Sequence, residues 1–383
     1  MKPWLKKAMS LVTAAALVAP VLSMSSLGAA SSASAATPIK VGVALTYNNT
    51  AFWAAYIQYE QQYAKQMGIT LLGPLLAGTN ASLQNRQMED LVNEGAQAII
   101  VNPETAVSMG PALTYAAAHH VGVVSVDTIV GVGHVYMVVR ASNLFYGYAA
   151  CAYLKEQGIT SGVVVDNEGD LTSSNGADRT NAFNDCMAKN DPGVTIKKIP
   201  TVWVASAAVK AAEDAVNAYG TQVKAIYDQY SGPDLGIIPF LKSKGFGPAG
   251  SAKHVDVISD DGVAFEMCWI GQGWVNASSS QPANLYAQGA LTYAKDAATG
   301  VVVKAGQAGV GATLAPITYR GDTNMGDPIV APFVTKTKIN FSLTPVDGQP
   351  AAFTSTPVSN AALWGNVYGK AHGGVCSPGM ISA

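Results

Sequence analysis

From Ile39 onward, short runs of Val, Ile and Leu alternate with longer stretches whose apolar residues recur every three or four positions. Ile39–Leu45 reads as a strand, Phe52–Met67 as a helix, Ile69–Leu72 as a strand and Ser82–Asn93 as a helix. Ala98–Val101, a helix over Ala106–His119 and Gly122–Val126 continue the series. Continuous apolar runs, rather than alternating ones, mark strands covered on both faces, and the intervening helices supply the cover.

The rhythm restarts after a helix near Leu144–Lys155. Strands are expected at Val163–Val165, Val194–Ile199, Val223–Tyr227 and Val255–Ile258, with helices at Gly176–Lys189, Ala205–Tyr219, Leu235–Ser243, Val263–Ile270 and Pro282–Thr299. Two βα series predict an α/β fold of two doubly wound parallel-sheet lobes joined by a hinge. One sheet holding every strand would be unusually wide. The expected division is an N-terminal lobe over 37–141, a second lobe over 142–278 and a return to the first over 279–340. A Pro/Ser/Thr/Ala-rich tail covers 341–383. Val301–Asn324 is Gly-rich and poorly periodic, and Ile329–Ile339 looks extended.

Ahead of this pattern stands a different segment. Lys2, Lys6 and Lys7 precede an apolar run from Ala8 to about Leu22, and small residues follow through Ala33-Ser34-Ala35-Ala36. Positive head, apolar middle and A-x-A exit predict a secretory signal peptide over 1–36, with an uncleaved anchor as the alternative. No cysteine precedes Cys151, so lipid attachment at the cleavage site is not expected. The mature chain is therefore expected in the periplasm or secreted.

Only 13% of the residues are charged and 49% are hydrophobic, which raises the question of a membrane protein. Beyond residue 37, however, no stretch approaches the ~20 apolar residues needed to span a bilayer. Loss of the three leader lysines turns 23 basic groups into 20 against an unchanged 25 acidic. That mildly acidic balance argues against nucleic acid, which demands clustered Lys and Arg.

Four cysteines in an oxidising compartment suggest two disulfides with three possible connectivities. Cys151 and Cys186 fall on successive helices flanking one strand, which favours Cys151–Cys186 and leaves Cys268 to hold the tail through Cys376. Four buried thiols are the alternative. The five histidines lack metal spacing, and no G-x-S-x-G, H-E-x-x-H or C-x-x-C occurs. Asp166–Asp170 and Asp322–Asp327 cluster oxygen ligands but complete no calcium loop, so ordinary turns are preferred. No metal, cofactor or enzymatic activity is expected.

Chemistry instead gathers at strand ends, where doubly wound sheets bind ligands. Asn48, Asn49, Thr50, Phe52 and Trp53 follow the first strand, Asp127 the fourth, and Asp261 the strand Val255–Ile258. Arg179 opens the helix of Asn175-Gly-Ala-Asp-Arg179-Thr-Asn-Ala-Phe183. Carboxylates and a guanidinium are directional partners for vicinal hydroxyls, and aromatic faces stack on sugar C–H faces.

With Val101-Asn102-Pro103, Ser125-Val-Asp127, Trp203, Ile258-Ser-Asp-Asp261-Gly and Pro332–Ile339 added, the chain resembles the ribose-type periplasmic sugar-binding proteins of ABC transporters. The resemblance runs from Ile39 to about Asn340 and implies the type I periplasmic binding protein fold. It further implies that Asn49, Phe52, Trp53, Asn102 and Asp127 contact ligand from the first lobe. Arg179, Trp203, Tyr230 and Asp261 would do so from the second lobe and hinge. Hinge closure on a small sugar-like ligand, delivery to an ABC permease and a monomeric state follow as expectations.

The chain departs from the family pattern at four places. Thr50-Ala51 stands for Asn-Pro, Thr128 for an arginine, Tyr230 for an asparagine and Ser142 for an acid. The pocket is thus expected to be more aromatic and poorer in amide donors than a pentose site. A polyol, a modified sugar or a non-sugar signal compound fits the same residues, and an exported enzyme using the cleft is the rival class.

Overall fold

The structure is a computed structural model and describes residues 37–301, 329–346 and 348–381. The expected signal peptide and the acidic turn Asp322–Asp327 lie outside the described residues.

The first sheet is wholly parallel, in the order β2-β1-β3-β4-β5. Its strands are β1 (Ile39–Leu45), β2 (Ile69–Leu76), β3 (Ala98–Val101), β4 (Gly122–Val126) and β5 (Met137–Val139). Helices α1 (Ala51–Met67), α2 (Ala81–Asn93) and α3 (Gly110–Ala118) connect them. Helix α1 starts where the Thr50 hydroxyl accepts the Trp53 amide, and it stops at Gly68, whose φ of +68° closes the last turn. Helix α3 begins four residues later than the periodicity suggests. Pro111 sets its first turn, and residues 104–109 form turns lining the first sheet's strand ends.

Helix α4 (Asn143–Glu156) carries the chain into a second sheet. There β6 (Gly162–Glu168), β7 (Val194–Pro200), β8 (Val223–Asp228), β9 (Asp256–Asp260) and β10 (Ala277–Ser279) lie in the order β7-β6-β8-β9-β10. That repeats the first sheet's topology strand for strand. Helices α5 (Ser174–Asn190), α6 (Ala205–Tyr219), α7 (Asp234–Ser243) and α8 (Ala264–Gln272) are its connections. Each sheet therefore has its own switch point, where the strand order reverses and a crevice opens at the strands' carboxyl ends.

After β10, α9 (Ala283–Ala298) packs on α1 and on β3 and β4 of the first sheet. The segment expected to return wholly to the first lobe does not do so. Strand β11 (Phe333–Thr335) pairs antiparallel with β10 and covers an edge that would otherwise stand open.

The tail is also ordered. Strands β12 (Asn340–Ser342) and β13 (Ala352–Thr354) form a hairpin-like pair, and β14 (Thr356–Pro357) extends the second sheet beside β11. Helices α10 (Trp364–Ala371) and α11 (Pro378–Ile381) follow. Two disulfides, Cys151–Cys186 and Cys268–Cys376, fasten α4 to α5 and the tail to α8. The second closes a separation of 108 residues, where loss of unfolded-chain entropy on cross-linking is largest. Among the described residues no helix is long and apolar enough to cross a membrane.

One buried acid stands apart from the site. Glu60 on α1 is fully buried, with Tyr56 Oη donating to Oε1 at 3.0 Å and no partner for Oε2 among the described residues. Burial pushes its pKa up to about 8, against the opposing pull of the Tyr56 hydrogen bond. A raised folded-state value means stability that is complete below the unfolded carboxyl's pKa and is lost as pH rises toward 8. The melting temperature of Glu60→Gln, relative to wild type, should therefore rise by a few degrees between pH 5 and pH 8. A pH-independent difference would show that Glu60 does not titrate as a buried acid.

Candidate functional site

The carboxyl ends of the two sheets share one cavity of about 780 Å³, its open mouth included. All nine residues singled out as ligand contacts line it: Asn49, Phe52, Trp53, Asn102, Asp127, Arg179, Trp203, Tyr230 and Asp261. Asn49 is exposed in the loop after β1, whereas Phe52 and Trp53 are buried on the first turn of α1.

Two carboxylates are presented in the same manner by the two sheets. Asp127 follows β4 with φ of +68°, and its amide donates to Val139 O of β5 at 2.8 Å. Asp261 follows β9 with φ of +110°, and its amide donates to Ser279 O of β10 at 2.9 Å. In both, the fifth strand of the sheet catches the amide of a residue held in a left-handed conformation. Such strain persists only where neighbouring structure enforces it, and it concentrates at functional sites.

Between them lies Arg179. It sits in the second turn of α5, which starts at Ser174, rather than at the helix opening as the sequence suggested. Its Nε donates to Asn143 Oδ1 at 2.6 Å, Nη1 to the Gln229 carbonyl and Nη2 to Gln281 Oε1 at 3.0 Å. Asp260 Oδ2 is 3.8 Å from Nη1, and the guanidinium lies over the Tyr146 ring at 4.8 Å and the Trp203 ring at 5.7 Å. Helix α4 comes this close because position 147 is glycine: a Cβ there would overlap the Arg179 carbonyl. Burial alone would lower the Arg179 pKa, but Asp260 and Asp261 outweigh it and hold the charge in place.

Amides complete the inner wall. Gln281, two residues past β10, accepts from Arg179 and donates through Nε2 to Asp127 Oδ1 at 2.9 Å. Asn175 of α5 donates to Asp127 Oδ2 at 2.6 Å, so second-sheet residues bond the first sheet's carboxylate. Asp261 Oδ2 accepts from Ser231 N at 3.0 Å and Ser231 Oγ at 2.7 Å. Burial raises Asp261 to about 6, with the pull of Arg179 and the Ser231 donors opposing it. Burial likewise raises Asp127, against Arg179 and Arg140.

The sequence reading missed Gln281, Asn175, Glu104 and Asp170 as lining residues. The site is therefore richer in amides than expected. The overlooked signal is the repeat of one strand order, which makes the residues after β10 the counterpart of those after β5. The stretch Asp166–Asp170, expected as a turn, is instead the end of β6 through Glu168 and the two residues after it. Asp166 is buried and bonded to Gln229, and Asp170 Oδ1 accepts from Thr172 N and Oγ1, each at 2.7 Å.

Fold and cavity together define a two-lobed protein with a ligand-sized crevice at the carboxyl ends of both sheets. The chain belongs to the periplasmic binding protein domain family, whose match covers residues 41–301. It is 24% identical over 224 residues to the xylitol-binding protein of Mycolicibacterium smegmatis, an alignment taking in 58% of this chain and only 64% of that protein. A solute-binding protein of an ABC transporter from Mycobacterium smegmatis, solved with glycerol, superposes with a TM-score of 0.65 at 22% identity. That superposition covers 77% of this chain and 94% of the other. The myo-inositol binding protein of Caulobacter, solved with myo-inositol, gives 0.64 at 22% identity over 74% and 93%.

The tail reaches this site from behind. Trp364 Nε1 donates to the Asp261 carbonyl at 3.0 Å, and its ring meets Phe52 edge-on at 6.2 Å. Trp364→Phe keeps most of the packing and leaves that carbonyl without its donor. A net loss of about 1 kcal/mol per hydrogen bond predicts a melting point lower by a few degrees and weaker solute binding. Unchanged melting and unchanged binding would show that the tail does not hold Asp261.

Proposed function

We propose that the protein is exported, captures a small sugar or polyol in this cavity by hinge closure and hands it to the permease of an ABC importer. The observation that carries this reading is the composition of one crevice from both sheets: Asp127 on one side, Arg179 and Asp261 on the other, aromatic rings between. A solute bonded to both walls stabilises the state in which they meet and shifts the population toward it. The named relatives, which bind xylitol, glycerol or myo-inositol, support a polyhydroxylated ligand. The family consists of transport-associated binding proteins, which supports binding without turnover. The leader over 1–36, with no cysteine at its exit, supports a processed, lipid-free chain outside the cytoplasm. The nine predicted contacts are assigned to the ligand on the same grounds.

Thermal-shift screening against pentoses, pentitols and cyclitols tests the proposal. A true ligand at a hundred times its Kd adds about 2.7 kcal/mol of apparent stability. It should also shrink the scattering radius of the wild-type protein, and Asp261→Ala should weaken binding at least about tenfold. No stabilisation by any polyol would overturn the reading, and conversion of a bound polyol to another product would favour the enzyme class.

A further inference from the structure

Four carboxylates line the cavity, Glu104, Asp127, Asp170 and Asp261, against the single cation Arg179. That cation is already committed, with Asp260 at 3.8 Å and its donors directed to Asn143, Gln229 and Gln281. The nearby Arg140 is likewise paired, its Nη2 lying 3.1 Å from Asp178 Oδ2. The cavity therefore carries an uncompensated negative charge.

The carboxylates are not neutralised by their own bonds. Both oxygens of Asp127 accept from uncharged amides, those of Gln281 and Asn175. Asp261 is only 5% exposed, and its two bonds both fall on Oδ2. Its Oδ1 has no hydrogen-bond partner among the described residues, although the residue lines the cavity. At half-buried positions, Glu104 of the first lobe and Asp170 of the second lie close enough to Tyr47 that the charge of each raises its pKa. The Glu104 side chain makes no hydrogen bond among the described residues, and burial, with the charge of Asp170, raises it to about 6. Glu104 and Asp261, both raised to about 6, are thus largely ionised at mildly alkaline pH.

Closing such a crevice on a neutral polyol strips the remaining water from the half-buried Glu104 and Asp170 and returns no charge to the buried Asp261, which is costly in a low-dielectric site. A protonated amine returns one charge and three donors. The rings of Trp53, Trp203 and Tyr230, which line the same cavity, add favourable faces for a cation.

We propose that the preferred ligand is a polyol or sugar carrying a protonated amino group, its hydroxyls held as in a neutral polyol and its ammonium taken by the unpaired Asp261 Oδ1 and the Glu104–Asp170 rim. The inference rests on the reading of this cavity as a polyol site and adds the charge of the ligand.

Calorimetric titration of the full mature protein with matched pairs tests it: a pentitol against its 1-amino-1-deoxy form, and myo-inositol against an aminodeoxyinositol. At mildly alkaline pH and low salt, the better-fitting amino form should bind at least about tenfold tighter than its neutral parent. Added salt should narrow that ratio. Glu104→Gln combined with Asp170→Asn, both at half-buried rim positions, should narrow it as well. Equal or weaker binding of every amino form would overturn the inference and leave the polyol reading standing. Binding of neither kind would overturn both.

Discussion

A buried guanidinium has to be surrounded by acceptors, and in this protein that requirement organises the site. Removing Arg179 from water costs several kcal/mol unless its donors are met. The acceptors come from α4 (Asn143), from the turns after β8 and β10 (Gln229, Gln281), and from the end of β9 (Asp260). These segments are far apart in the chain, so one cation fixes the loops of the second sheet relative to one another. Gln281 then passes the constraint on, since the amide that accepts from Arg179 also donates to Asp127 of the first sheet.

The repeated strand order explains why the chemistry converges. In each sheet the fourth strand ends in an aspartate of positive φ, and the fifth strand accepts its amide proton. Facing the two carboxyl ends toward each other brings Asp127 and Asp261 to opposite sides of one crevice. Arg179 and the rings of Trp203 and Tyr230 line the same crevice, with Tyr230 Oη anchored on the Trp203 carbonyl at 3.0 Å. The tail adds a support from outside this pattern. Tyr368 of α10 meets Tyr59 of α1 at 6.0 Å, while Cys376 ties the segment to α8. One segment therefore touches elements on both sides of the cavity.

Much of this was legible in the sequence, for identifiable reasons. Strands buried on both faces write themselves as unbroken Val/Ile runs, and α/β sheets place chemistry after such runs, so Asp127 and Asp261 could be read directly. Strands β5 and β10 could not, being three residues each; β10 is Ala-Ser-Ser, buried because β9 and β11 flank it rather than because it is apolar. Missing β10 hid Gln281, whose role depends on a contact with Asp127 across 154 residues. The tail's elements could not be assigned from the sequence because their order depends on tertiary partners. Trp364 is buried against Phe52, Tyr368 and the Asp261 turn, and a cross-link to Cys268 holds the end.

The most direct test of Arg179 as the organising group is the unfolding free energy of Arg179→Lys, from urea titration followed by tryptophan fluorescence and near-ultraviolet circular dichroism. Lysine keeps the charge but cannot reach acceptors on four separate segments with one ammonium. The account predicts a loss of about 3–5 kcal/mol, the scale of a buried charge network left incomplete. A variant within about 0.5 kcal/mol of wild type, the range of an ordinary surface substitution, would contradict it.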